Sequence, residues 1–477
     1  MPLDLTQLKT PGVYIDEVPK FPPSIAAVAT AIPAFIGYTE KAIDAKGNDL
    51  TNVPTRITSL LEYETFFGGA QPEENLEITW TEVTTPVGSE TISVAYNGDA
   101  SNHNMFYSLR AYFANGGGPC YVVSIGAYKT VGGALVLTEF EDGLAALEKE
   151  DEPTLIVFPE GQRMDEGDYY AIQNAALNQC GLLKDRFCIM DLHDTGETLA
   201  TSGDVNTAAT AFRGGITSSN IRYGAAYFPN LKAVFGHLVD ETTVIINHTV
   251  DGGAGAFDGN NLDALKTTNT AAYNKLSLAL SRFPVILPPS PVMAGVYAQV
   301  DSARGVWKAP ANVGLVSVTD VTFKVTNGIQ DGLNVDPGTG KSINVIRPFT
   351  GKGILVWGAR TLTGNDNEWR YVNVRRFFNM VEESSKKASE QFVFEPNDTN
   401  TWVKVQAMIE NFLTTLWRQG ALQGATTEQA FYVLVGLGKT MTADDILNGR
   451  MIVEIGMAVV RPAEFIVLRF SHKLPEA

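Results

Sequence analysis

Between residues 120 and 190, short apolar runs alternate with longer stretches of helical periodicity. The runs YVVSI, TLIVF and RFCIM are typical of buried strands, and DGLAALEKE and DYYAIQNAALNQCGLL are typical of amphipathic helices. Parallel strands need a crossover that covers the sheet, so this alternation predicts a parallel sheet with right-handed crossovers. An earlier apolar run at 24–42, interrupted by Pro33, is predicted to add a buried strand. The fold class expected is α/β here and α+β overall.

After residue 303 the pattern becomes mixed. VGLVSVTDVTFKV and GILVWGA are predicted strands on either side of a loop rich in glycine and aspartate at 327–342. Two amphipathic helices follow, over 372–391 and 399–418. In the first, the apolar stripe is formed by Val374, Phe377, Phe378 and Val381. The spacing predicts a mixed α/β C-terminal core with both helices facing inward.

Each end of the chain carries a strand-like run that has no neighbour to pair with. Prolines at 2, 11, 19, 22 and 23 block a helix near the start, and FIVLRF lies a few residues before the end. A lone strand is not stable in water, so we expect each run to add to a sheet of a neighbouring molecule. The residues of these two arm strands are Val13, Tyr14, Ile15, Asp16, Glu17 and Val18, and Phe465, Ile466, Val467, Leu468, Arg469 and Phe470.

The stretch 71–104, rich in Thr, Glu, Asn and Gly, is predicted to be an inserted hairpin or loop, and 240–262 is predicted to be a second surface insertion. The predicted organisation has five parts: an N-terminal arm at 1–24, a first part of the core at 25–130, an α/β middle domain at 131–303, a C-terminal core domain at 304–460 and a C-terminal arm at 461–477.

The composition limits the function classes. The chain has 36 basic and 53 acidic side chains, a net charge of −17, and no cluster of Lys and Arg, which argues against nucleic acid as a partner. No run is long and apolar enough to cross a bilayer, and MPLDLTQLKTPG lacks the features of a leader, so we expect folding in a cytoplasm without membrane insertion. The three cysteines do not have the spacing of metal ligands, and we expect them to be buried apolar residues. They are Cys120, Cys180 and Cys188.

Two motifs raise an enzyme as the alternative. VDPGTGKS places Lys341 and Ser342 as in the phosphate loop of an NTPase, but Val335 stands where glycine is required. The β-branched run that follows will not begin a helix, so a glycine-rich turn is the competing interpretation. Asp191, His193 and Asp194 follow a predicted strand, where a hydrolase could hold a metal, although polar residues also end strands for structural reasons.

Several runs together resemble the contractile tail sheath proteins of bacteriophages and phage-tail-like contractile injection systems. The runs that carry the resemblance, in the order of that family, are TPGVYIDEV (10–18), AIPAFIGYTEKA (31–42), YGAAYFPNL (223–231), AGVYAQVDSARGVWKAPAN (294–312), VWGARTL (356–362), YVNVRRFFNMVEESS (371–385) and RPAEFIVLRF (461–470). The stretches 71–104 and 240–262 match no motif of the family and are expected to decorate the outer surface.

The resemblance implies a structural subunit of a helical cylinder around an inner tube, which shortens to drive the tube through a target envelope. It implies a subtilisin-like topology for the middle domain, no cofactor and no catalytic activity. The implied partners are other sheath subunits, the inner tube, and the baseplate and terminal cap proteins. The particle would be assembled in a bacterial cytoplasm, as a phage tail or as a phage-tail-like particle that can be released.

The resemblance also implies that a helix of the C-terminal domain contacts the tube. Two stretches are candidates for this contact: TADDILNGR at 442–450 and the polar face of 375–387. The candidate residues are Asp444, Asp445, Asn448 and Arg450 in the first, and Arg375, Arg376, Lys386 and Lys387 in the second. The competing interpretation of either set is a solvated charged face.

Overall fold

The computed structural model describes residues 25–84, 88–194 and 199–469. The strands are β1 (Pro33–Thr39), β2 (Thr55–Ile57), β3 (Leu76–Val83), β4 (Ser89–Tyr96), β5 (Cys120–Ala127), β6 (Leu155–Val157), β7 (Phe187–Asp191), β8 (Gly224–Phe228), β9 (Leu231–Gly236), β10 (Ile245–Val250), β11 (Gly253–Ala254), β12 (Pro284–Leu287), β13 (Val318–Val321), β14 (Ile343–Phe349), β15 (Gly353–Val356), β16 (Phe431–Val435) and β17 (Val453–Met457).

The α-helices are α1 (Leu60–Phe67), α2 (Met105–Ala114), α3 (Leu137–Leu147), α4 (Glu166–Leu183), α5 (Ser202–Gly215), α6 (Leu265–Thr268), α7 (Thr270–Ser281), α8 (Pro289–Arg304), α9 (Asn327–Asn334), α10 (Val372–Ser389), α11 (Thr399–Arg418), α12 (Thr427–Ala430) and α13 (Ala443–Leu447). The described residues fall into two compact units, one formed by 29–379 with 461–469 and the other by 25–28 with 380–460.

The larger unit is built on an eight-stranded sheet with the order β15-β14-β8-β7-β6-β1-β5-β2. Its six inner strands run parallel, and β15 and β2 are antiparallel at the edges. Helices α3, α4 and α5 cover one face, and α1, α2 and α8 cover the other. In β1, Ala34 and Ile36 face the first helix layer and Phe35 faces the second, as the strand period of two requires. The predicted parallel α/β fold is confirmed.

The stretches 71–104 and 240–262 contribute to one small sheet, with the order β11-β10-β3-β4. Strands β3 and β4 form the predicted hairpin, and β10 lies parallel to β3. Together with α6 and α7 these strands enclose a separate apolar cluster that includes Ile78, Trp80, Ile246 and Leu276. We call β3, β4, β10, β11, α6 and α7 the insertion module. A two-stranded hairpin is marginal in water, and the added strand and helices give it a core.

Two further sheets complete the described fold. A three-stranded antiparallel sheet, β12-β9-β13, packs on the α8 side of the main sheet in the larger unit. In the smaller unit, β16 and β17 form a two-stranded antiparallel sheet beside α11, which has the predicted bounds of 399–418.

The loop predicted at 327–342 is partly wrong, because its first half is helix α9. The side chain of Thr326 caps this helix by accepting a hydrogen bond from the backbone N–H of Ile329. Leu333 is buried in the core and Ile329 packs against it from the same face. The cap and this apolar pair outweigh the two glycines of NGIQDGLN.

Candidate assembly surfaces

Within the larger unit, the C-terminal segment is anchored through one carboxylate, that of Glu464. Arg360 forms an ion pair with Glu464 at 2.8 Å, and Asn334 and Tyr371 donate hydrogen bonds to it at 2.8 and 3.0 Å. Burial by itself raises the pKa of Glu464, but hydrogen bonds from Arg360 and Asn334, together with the charge of Arg360, bring that pKa below its ordinary value. We call these four side chains the Glu464 clamp. It fixes the point from which the predicted arm begins.

Beyond the clamp, the arm is exposed. Phe465, Ile466, Val467 and Leu468 are each 72–78% exposed and belong to no strand of the described chain. The four successive large apolar side chains form an uncovered apolar surface. The backbone of the same segment can pair with a strand of another molecule. Phe470 and the N-terminal strand Val13–Val18 lie outside the described residues.

The two-stranded sheet of the smaller unit offers edges for pairing. Strands β16 and β17 pair with each other from Phe431↔Met457 to Val435↔Val453, and neither pairs with a third strand in the described chain. Tyr432 and Leu434 on one face of β16 are 49% and 38% exposed. A sheet of this size is marginal by itself.

The first predicted tube-contacting stretch folds as the short helix α13. The Asp445 side chain closes a capping box with Thr442, and its Oδ1 lies 3.7 Å from Nη1 of Arg450. The Asp445 carboxylate therefore stabilises the beginning of α13 itself. Asn448 donates a hydrogen bond to the Asp444 carbonyl, and the side chains of Asp444 and Arg450 are exposed. These positions allow a contact with a partner but do not identify the partner.

The second predicted stretch needs a correction, because Arg375 and Arg376 are only 2% and 3% exposed. The Arg375 guanidinium lies 4.2 Å from the centre of the Trp369 ring, and Arg376 forms a 2.5 Å ion pair with Asp301. The expectation that these two arginines lie on an exposed polar face is therefore wrong, since both are used inside the subunit.

Lys386 and Lys387 do have exposed side chains, at 63% and 38%. Both reach Glu383, at 3.2 and 3.6 Å. Their role in a tube contact stays a prediction.

The phosphate-loop candidate has no helix after it. Ser342 is followed by strand β14, and its hydroxyl donates to the Asn334 carbonyl at 2.6 Å. The Lys341 ammonium donates to the backbone carbonyls of Arg213 and Ile216. Burial lowers the pKa of Lys341, which fits an ammonium engaged by the protein itself. The segment is a turn closed by its own side chains.

The Asp191 candidate is also engaged internally. Its carboxylate accepts hydrogen bonds from the Ser290 backbone N–H at 2.7 Å and from the Ser290 hydroxyl at 2.5 Å, at the beginning of α8. Burial raises the pKa of Asp191 to about 7, although the Ser290 hydrogen bonds oppose the rise. His193 bonds the Met164 carbonyl at 3.0 Å. Within 25–84, 88–194 and 199–469, no three His, Cys, Asp or Glu side chains are grouped as metal ligands.

Sequence reasoning missed the Glu464 clamp. Arg360 and Glu464 both lie in runs that carry the family resemblance, but the sequence alone does not bring them together across 104 positions. None of the described helices combines the length and the apolarity that spanning a bilayer requires.

Residues 364–473 match the family described as the phage tail sheath C-terminal domain. The chain is 33% identical to a chain of the PVC sheath complex of an extracellular contractile injection system in the contracted state, over 98% of both chains, with a TM-score of 0.62. The chain is a member of the contractile sheath protein family. It is therefore a structural subunit of a contractile sheath.

Two further comparisons support the sheath assignment. The sheath protein is 33% identical to the helical sheath of the anti-feeding prophage in the contracted state, over 98% of this chain and 99% of that one, with a TM-score of 0.63. It is 31% identical to the tail sheath protein of Burkholderia phage BcepMu over 140 residues. These matched residues are 29% of each protein. This match spans less than a third of the phage protein's length.

Proposed function

We propose that this sheath protein polymerises as a helical cylinder around an inner tube, and that contraction of the cylinder drives the tube through a target envelope. Membership of the sheath family supports this function. The observation that carries it is the exposure of four successive apolar side chains, Phe465–Leu468, directly after the Glu464 clamp. Such a segment is stable in water only when another molecule covers it.

In this proposal the C-terminal arm adds as a strand to a sheet of a neighbouring copy, and Val13–Val18 does the same at the other end. The sheet β16–β17 is the proposed acceptor, because it has two strands and no third partner in the described chain. Hydrogen bonds between the paired backbones supply the affinity. They do not depend on a fixed angle between the folded cores of the two subunits. The proline-rich segment before residue 24 gives the N-terminal strand a tether, so that subunits rotate during contraction while the strands stay paired.

The proposed partners are other sheath subunits, the inner tube, the baseplate and a terminal cap protein. Similarity to a chain of the anti-feeding prophage baseplate, at 33% identity and a TM-score of 0.62, supports association with a baseplate. Helix α13, through Asp444, Asn448 and Arg450, is the proposed contact with the tube. We place assembly in the bacterial cytoplasm.

The subunit works without catalysis in this proposal. The residues that made an enzyme the alternative, Lys341, Ser342 and Asp191, are all bonded within the chain. No observation favours a nucleotide or a metal as ligand, and the driving energy comes from contacts between subunits in the contracted state.

A proline substitution in the arm tests this function. Val467→Pro keeps an apolar side chain but removes the backbone N–H that a pairing strand needs, whereas Val467→Ala keeps the N–H. We expect striated cylinders by negative-stain microscopy for the parent and for Val467→Ala. We expect Val467→Pro to give soluble subunits with an unchanged circular dichroism spectrum, because residue 467 is exposed.

Contractile cylinders from Val467→Pro would refute the arm mechanism while leaving the sheath function intact. Failure of the parent chain to form cylinders when it is expressed together with its tube protein would refute the function itself.

A further inference from the structure

One aromatic side chain stands fully in solvent in a conformation that aromatic residues rarely adopt. Phe394, between α10 and α11, is 103% exposed and has a φ of 69°. A positive φ is unfavourable for a bulky L-residue, and the exposure of the ring adds a second unfavourable term. Val393 beside it is 62% exposed. We call Val393 and Phe394 the knob.

The knob is held by a network of local hydrogen bonds. The backbone N–H of Val393 donates to Glu390, and that of Glu395 donates to Phe392. Downstream, the Asn397 side chain donates to the Arg450 carbonyl at 2.9 Å. Pro396 further restricts the backbone of Glu395. A strained aromatic residue on a fixed loop is pre-organised for insertion into a partner, as the central anchors of protein interfaces are.

The insertion module has a surface groove that matches the knob. The groove lies between β4 and α7 and has a volume of about 380 Å³, enough for an aromatic and an aliphatic side chain. Its apolar lining is formed by Ile92, Val94, Leu278, Ala279, Phe283 and Pro284. Leu278 is 53% exposed, so the groove leaves apolar surface in water.

The charges around the knob and the groove are complementary. Arg282 on the rim of the groove is exposed and forms no ion pair in the described chain, whereas Lys275 is already bonded to Glu90. Glu390 and Glu395 flank the knob, are exposed, and likewise form no ion pair in the described chain. The groove between α3 and α4 has the opposite character, since Glu141 and Glu148 line it.

We propose that the knob of one subunit inserts into the groove of the insertion module of a second copy of this chain, with Arg282 paired to Glu395. The contact joins two different surfaces, so it is heterologous. Repetition of such a contact builds a closed ring or an open helix, and the proposed cylinder requires the open helix. The proposal rests on the proposed self-assembly but concerns a surface separate from the arms. A knob of two residues buries little area, so the contact acts beside the arm strands as one part of a larger interface.

Cysteine crosslinking of the full chain tests the contact. A double variant, Val393→Cys with Leu278→Cys, is treated with a short bismaleimide and compared with each single variant. The native Cys120, Cys180 and Cys188 are buried, and burial raises the pKa of each thiol, so they do not compete. The matched control is Val393→Cys with Leu182→Cys, because Leu182 is 68% exposed in the acidic groove.

We expect a ladder of crosslinked multimers from the 393/278 pair only. No ladder from that pair, or an equal ladder from the 393/182 pair, overturns the contact. Negative-stain microscopy of the same samples separates the two proposals. Cylinders without the ladder refute the knob contact alone. A ladder without cylinders, in samples expressed together with the tube protein, refutes the proposed cylinder alone.

A second variant separates assembly from folding. Phe394→Gly removes the anchor and also relieves the positive φ, so we expect the unassembled subunit to melt at an equal or higher temperature. The concentration needed for polymerisation should rise by about tenfold, as for loss of an interface anchor. Val403→Ala, at a 59% exposed position of α11, keeps the helix and should leave that concentration unchanged. Unchanged polymerisation of Phe394→Gly overturns the proposal.

Discussion

The Asp191 carboxylate makes a pH-dependent contribution to stability whose sign and size follow from its surroundings. It is buried at the end of β7, and burial raises its pKa from 3.8 to about 7 despite the hydrogen bonds from Ser290. The folded chain therefore keeps this proton to a higher pH than the unfolded chain does. Between about pH 4 and about pH 7 the folded state binds the extra proton, so the free energy of unfolding falls as the pH rises.

The size follows from the shift of about three units, each of which corresponds to about 1.4 kcal/mol. Ionisation of Asp191 therefore removes up to about 4 kcal/mol of stability by pH 8. In Asp191→Asn the amide oxygen still accepts from the Ser290 N–H, and the amide nitrogen can donate to the Ser290 hydroxyl. The variant carries no titrating group there, so its stability should exceed that of the parent increasingly as the pH rises.

The assay is urea unfolding followed by tryptophan fluorescence, with both chains carrying Val467→Pro, the variant expected to stay as unassembled subunits. The difference between the variant and the parent is taken at each pH from about 4 to about 8, which cancels the other titrating groups. Ser290→Ala serves as the second variant. Loss of its hydroxyl donor should raise the pKa of Asp191 further. The free energy of unfolding should then continue to fall up to a higher pH than in the parent. A difference that does not change with pH, or a variant that loses stability at pH 8, would refute this reasoning.

Three further outcomes are expected. Asp301→Ala leaves the buried Arg376 charge unpaired and should lower the free energy of unfolding by about 3–5 kcal/mol in urea titrations, and an effect below about 1 kcal/mol would contradict the role given to this pair. Because the pKa of Glu464 is lowered in the folded state, the clamp contributes stability above the ordinary range for Glu and loses it as the pH falls below that range. Glu464→Gln should therefore speed proteolysis of 461–469 at neutral pH, and an unchanged cleavage rate would count against the clamp. ATP, GTP and divalent cations should leave the melting temperature unchanged, whereas a ligand at a hundredfold its Kd would add about 2.7 kcal/mol.

The main sheet was predictable because its signals are local. The strands YVVSI, TLIVF and RFCIM are continuous apolar runs, and the helices between them have a clear period, so their type and order follow from sequence. Helix α9 was missed because its two glycines hide a cap and an apolar pair that matter only once Leu333 reaches the core. The sequence predicts two separate inserts where the structure has one insertion module, since the pairing of β3 with β10 joins residues about 170 positions apart and leaves no local signal.

Among the predicted tube-contacting residues of 375–387, burial distinguishes the two arginines from the two lysines, which the sequence does not. Arg375, Arg376, Lys386 and Lys387 are all cationic residues of one helical stretch, and the sequence predicts a polar face for all four. The arginines are buried because their planar groups stack on Trp369 and Tyr297, which lysine does less well. Phe465–Leu468 are exposed and belong to no strand among the described residues, and their pairing with a neighbouring copy stays a prediction.

A net charge of −17 makes approach of two copies unfavourable at long range, so the contacts that hold a sheath together must act at short range. Backbone pairing of an exposed apolar strand is such a contact, and it is independent of net charge. In the proposed mechanism, the Glu464 clamp fixes the position of this segment on the folded subunit before a neighbouring copy pairs with it. Less conformational entropy is then lost when a copy joins than if the whole segment were free. In the proposed mechanism, an anchored carboxylate at Glu464 and an exposed apolar segment after it let acidic subunits associate without neutralising their charge.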